Sequence, residues 1–148
     1  MSRVQGVRKA LLAGCVALGL TSTVFAQTSA PATGLGQAWP NAADVSANPH
    51  WHVYVFVLNG IEYVQVNDLN GTVHAAIGTV AGTTIVLPIG VDAQNVTTTA
   101  APATSSTVTV YSDSTTTVTA TPQSNGTTQF AAAAVCSDPF NCGGSGSP

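Results

Sequence analysis

The sequence predicts an all-β protein: an antiparallel meander followed by a Thr-rich hairpin, arranged as a sandwich or an incomplete barrel. Three observations carry that prediction. Short runs of β-branched and aromatic residues recur from residue 51 onward. Turn residues separate them at short intervals, and Asn59-Gly60 is the strongest hairpin signal among them. Beyond residue 26 no segment sustains a helical period, and the Ala-rich stretch 131–135 is too short to nucleate a helix.

The meander is expected at 51–58, 61–67, 72–80 and 83–89. Trp51-His52-Val53-Tyr54-Val55-Phe56-Val57-Leu58 supplies the first strand and Ile61-Glu62-Tyr63-Val64-Gln65-Val66 returns as the second. Turns at Asp68-Leu69-Asn70-Gly71 and Ala81-Gly82 set off the third and fourth. Pro88 has no amide to give a ladder, so the fourth strand is an edge or stops there. A two-residue turn at Asn59-Gly60 places Leu58 opposite Ile61, Phe56 opposite Tyr63 and Val55 opposite Val64. Val53, Val55, Val57, Val64 and Val66 then share a core face. Tyr54, Phe56, Leu58, Ile61 and Tyr63 share the other, which is also apolar. A sheet covered on both faces suits a sandwich, or a homo-oligomer formed through the second apolar face.

From residue 93 the chain is rich in Thr, Ala and Ser. Alternation around Ser112-Asp113-Ser114 predicts a hairpin near 106–121, with an extended glycosylated stalk as the alternative. Asn70, Asn95 and Asn125 each begin an Asn-x-Thr pattern; they are read as turn residues. The domain plan is a signal peptide at 1–26, an extended leader at 27–49 pinned by Trp39, a β domain at 50–135, and a disulfide loop with a flexible tail at 136–148.

Every Lys and Arg lies within the first nine residues: Arg3, Arg8 and Lys9. They precede an apolar run at 10–20 and a small-residue cleavage pattern, Val24-Phe25-Ala26, as in an export signal. That run is too short for a bilayer span, which needs about 20 residues. Leu12-Ala13-Gly14-Cys15 resembles the lipobox of bacterial lipoproteins, which implies lipidation at Cys15. Its early position within the apolar run argues for ordinary cleavage instead. The expected location is periplasmic or extracellular. Cleavage leaves about 120 residues, enough for one domain with a core.

The mature chain would carry six carboxylates and no strong cation. Nucleic acid binding and polybasic attachment to membranes both lose their phosphate-neutralising groups. Cys136 and Cys142 are expected to pair in an oxidising compartment, contributing about 2 kcal/mol through a short loop.

His50, His52 and His74 are the candidate metal ligands. His50 and His52 alternate on one strand face, about 7 Å apart. A two-residue turn at Asn70-Gly71 would put Asn67 between His52 and His74 in one row, with Asp68 nearby. Such a cluster suits Zn²⁺ or Cu²⁺. A three-residue loop with Gly71 left-handed would slip the pairing and send His74 to the opposite face. Glu62 and Asp68 lie about 20 Å apart along one strand face, too far for a glycosidase pair, which needs about 5–9.5 Å. Together these observations point to an exported, non-catalytic β protein acting as an envelope, adhesion or binding module with a protein or glycan partner. The alternative is a histidine-based Zn or Cu protein.

Overall fold

Asn59 and Gly60 both adopt left-handed backbone, φ 52° and 79°, in a computed structural model that describes residues 31–135. That is the type I′ geometry whose twist suits a hairpin. It joins β1 (Trp51–Leu58) to β2 (Ile61–Asp68) in the expected register, Leu58 opposite Ile61 and Val55 opposite Val64. Ala81 and Gly82 repeat the geometry at φ 48° and 76° and join β3 (Val73–Val80) to β4 (Thr83–Val86). These four strands form one antiparallel sheet in chain order. Among them β4 is shorter than expected, ending two residues before Pro88. The chain nevertheless stays beside β3, because Leu87, Val91 and Asp92 donate their amides to the carbonyls of Ala76, Val73 and His74.

The Thr- and Ala-rich half folds as a second four-stranded sheet and not as a stalk. Its strands are β5 (Val96–Thr97), β6 (Val108–Ser112), β7 (Thr116–Pro122) and β8 (Thr128–Ala134), in the order β5-β8-β7-β6. The β6–β7 hairpin is the one expected around Asp113. Its carboxylate accepts the amides of Thr115 and Thr116, each at 2.7 Å. β5 and β8 were not expected. β5 has only two residues and runs parallel to β8. β8 ends in four alanines with no period of their own. All four are held extended by pairing with β7, and Ala131 also pairs with β5 on the other side.

The two sheets face each other as a sandwich. Val53, Val64, Val66, Ala75 and Ile77 from the first meet Val110, Val118, Ala120, Phe130 and Ala132 from the second, all with no exposed surface. Val57, expected in this core, lies beside the hairpin tip and is 67% exposed.

The chain's own residues 31–47 cover the middle of the second apolar face, while Leu58 at the hairpin end stays 60% exposed. Tyr54 and Phe56 are buried there. Two buried amides, Gln65 and Asn67, take their partners from this cover, as buried polar groups must. Gln65 accepts the Gly36 amide at 2.6 Å and donates to the Gln37 carbonyl at 2.8 Å, and Asn67 donates to the Ala38 carbonyl at 2.8 Å. The Trp39 ring packs so closely over Gly71 that no Cβ would fit there. Further on, Val45 donates to the Val53 carbonyl and Ala47 to the Val110 carbonyl, each at 2.8 Å, tying the β1 edge to the β6 edge. The expected leader is therefore a third layer and an edge seal. The expected signal peptide at 1–26 with Cys15, residues 27–30, and the expected Cys136–Cys142 loop and tail lie outside the described residues.

Candidate functional site

The loop at 69–71 and the start of β3 decide where His74 points. Asp68 donates its amide to the Thr72 carbonyl and Gly71 sits at φ 85°, so the loop is the three-residue form. Val66 still pairs with Ala75, while Asn67 pairs with Val73. His74 is the extra residue between them, a β-bulge that restores the register of the two-residue turn. Its ring packs edge-on against Trp51 at 5.1 Å and beside Phe130 at 6.1 Å, at the margin of the inter-sheet core. The His52 ring instead lies beside Tyr54 at 6.3 Å and Trp39 at 5.6 Å, on the face covered by residues 31–47. The expected row of His52 and His74 on one face does not form, because the bulge turns His74 to the other side.

Each of these two histidines has its own aspartate. His52 Nδ1 lies 2.6 Å from Asp44 Oδ2. Burial pushes the Asp44 carboxyl up, but His52 and the amides of Val53 and Ser46 outweigh it and hold Asp44 below its ordinary value. His74 Nδ1 lies 2.7 Å from Asp92 Oδ2. Asp92 is 4% exposed, and its own amide donates to the His74 carbonyl at 2.9 Å. Asn95 donates to its other oxygen at 3.2 Å. With Nδ1–H donated to this carboxylate, a neutral His74 carries its lone pair on Nε2. That atom lies 3.6 Å from Asp68 Oδ2. Burial pushes Asp68 up too, but the Thr72 and Asn70 amides and the neighbouring side chains hold it below its ordinary value.

His74 and Asp68 open into a cleft of about 400 Å³ where one end of the first sheet meets the start of β6 and the end of β7. Asn48, His50, Trp51, Ser106, Val108 and Pro122 complete its walls. So two of the three candidate ligands, His50 and His74, share a cleft with Asp68, and His52 stands apart. Among the described residues no three His, Cys, Asp or Glu side chains are gathered closely enough to hold a metal as they stand. Ser106 pairs its hydroxyl with Thr104 Oγ1 at 3.0 Å, so the cleft contains no Ser–His bond of the kind that activates a nucleophile. Asp44 and Asp92 escaped the sequence reading. Their partners lie 8 and 18 residues away, and no local motif marks them.

A second titratable cluster lies at the other end of the sandwich. Glu62 faces Asp113, and its Oε1 is buried without a hydrogen-bond partner. Burial, then the Asp113 charge, push the Glu62 carboxyl up. Asp113 is pushed up by burial, but the Thr115 and Thr116 amides and the Tyr111 hydroxyl, which donates at 2.9 Å, bring it below its ordinary value. The fold thus favours the protonated form of Glu62 and the charged form of Asp113. A raised carboxyl supports folding below its ordinary value, here 4.5, and loses that support as pH rises through its folded value. The lowered Asp113 supports folding above its ordinary 3.8 and loses it as pH falls through its folded value. Stability from this pair is greatest between those two ordinary values. Glu62→Gln, which keeps the shape but does not titrate, is expected to flatten the decline toward neutral pH. The gain is at most about 1 kcal/mol because water screens this partly solvated group. Thermal melts against pH check it; an unchanged slope in the variant would mean Glu62 is already charged.

Comparison with protein-family models, with curated proteins and with solved structures gives no match, so the chemistry of the site rests on its own geometry.

Proposed function

We propose that the mature chain is an exported, non-catalytic β-sandwich module that binds a glycan or protein ligand in the cleft beside His74. The observation that carries this reading is the pairing of an Asp92-anchored imidazole with an aromatic wall, Trp51, in one cleft open to solvent. An anchored polar group beside an apolar wall is the usual make-up of a ligand seat. With no Lys or Arg beyond Lys9, the seat disfavours anionic ligands and suits neutral or cationic ones. Removal of residues 1–26 and pairing of Cys136 with Cys142 belong to the same reading, and the intact mass of the secreted protein tests both.

The binding test is a titration of the isotope-labelled secreted protein with soluble neutral glycans and cell-envelope fragments. Resonance shifts are expected at the Trp51 indole and the His74 ring. Ser106→Arg, at an exposed position on the cleft wall, should abolish them, whereas Thr109→Arg on the outer face of β6 should not. Absence of shifts at the cleft, or binding that survives Ser106→Arg, would overturn the reading.

A further inference from the structure

We infer that this cleft is a Zn²⁺ seat in which His74 Nε2 and Asp68 Oδ2 are the preset ligands, His50 is the third, and Asp92 is a positioning residue. The inference deepens the proposed binding role and rests on the cleft being a ligand seat. A separation of 3.6 Å between Nε2 and Oδ2 is too long for a hydrogen bond between these groups. It is close to the edge of a coordination tetrahedron, about 3.4 Å for Zn–N and Zn–O bonds of about 2.0–2.2 Å. The two atoms stand almost where one ion would hold them.

Both are already fixed from behind. Asp92 takes the Nδ1 proton of His74, the carboxylate–histidine arrangement that orients a ligating imidazole and makes it more basic. Asp68 Oδ1 is occupied by the Asn70 and Thr72 amides, each at 2.8 Å, and Oδ2 faces His74. His50 lines the same cleft from an exposed position before β1, so its ring can swing in while the other two stay in place. Three protein ligands leave a fourth position for water or for a group on the bound ligand. A mixed imidazole–carboxylate set favours Zn²⁺ over Ca²⁺ or Mg²⁺, which call for oxygen alone. No Lys or Arg beyond Lys9 exists to repel the ion.

Calorimetric titration of the untagged secreted protein with ZnCl₂ tests this, with CaCl₂ as the control cation. One Zn²⁺ per chain is expected, together with a shift of the His74 Nε2 resonance. Asp68→Asn and His50→Gln should each weaken binding by at least about tenfold, and Asp92→Asn by about 10–100-fold. His52→Gln should leave it unchanged. His74→Gln should remove binding. Because that change also touches packing against Trp51 and Phe130, the loop variant Asp68→Asn decides the matter independently. No Zn²⁺ uptake, equal uptake by Asp68→Asn, or loss in His52→Gln would overturn the proposal. Should Zn²⁺ binding fail while Ser106→Arg still blocks glycan or envelope binding, the cleft remains a ligand seat and only the metal falls.

Discussion

Phe130→Ala is expected to lower stability by about 3–5 kcal/mol, the usual cost of emptying a buried aromatic site. Phe130 is the largest of the fully buried side chains. It reaches across from β8 to pack edge-on against Trp51 at 5.5 Å and beside His74 at 6.1 Å. Its loss would remove contacts between the sheets and also the support beneath the cleft. A domain of this kind is stable by about 5–15 kcal/mol, so the variant would spend much of that margin. Urea denaturation checks the figure, and a loss below about 1 kcal/mol would mean the sheets do not close on this residue.

Gly90→Ala is expected to cost at least about 3 kcal/mol, from strain at a left-handed position and from lost backbone bonds. Gly90 sits at φ 106°, and a Cβ there would collide with the His74 carbonyl and the Ala75 amide, backbone atoms of β3 that cannot move aside. Relief requires residues 90–92 to lift away from β3. That breaks the Val91 and Asp92 bonds to β3 and withdraws the Asp92 carboxylate from His74. The loss should therefore appear twice, in a lower melting temperature and in a changed His74 Nδ1 resonance. Gly60→Ala is the matched control. It too has positive φ, but open space surrounds it, so it should show the conformational strain alone. Equal effects in the two variants would show that close approach at Gly90 contributes nothing.

Legibility varied along the chain for identifiable reasons. The β1–β2 register could be read from Asn59-Gly60, because a two-residue turn with both residues left-handed sets the ladder locally. The β6–β7 hairpin was readable from alternating Thr and Val around Asp113. By contrast, β8 had no such mark, since its alanines become a central strand only through their two neighbours. The need for a cover over Tyr54 and Phe56 was visible in their pattern. Its identity was not, although Gln65 and Asn67 in mid-strand were a usable signal: two amides on a covered face demand polar partners. At the site, His50, His74 and Asp68 were singled out and do share a cleft. Asp92 was missed because it enters from a loop that follows Pro88, with no spacing rule connecting it to His74.

Residue order alone settled the properties that depend on covalent neighbours: the cation-free chain beyond residue 9, the strand-forming runs, and the turns whose residues demand positive φ. Packing settled which histidine meets which aspartate, and which segment covers the outer face. One bulged residue is enough to move an imidazole from one side of a sheet to the other. Contacts such as Asp92 with His74 exist only once the segment after β4 has docked back onto β3. The histidine row suggested by alternation thus became, in three dimensions, two separate His–Asp pairs, and only one of them opens into the cleft.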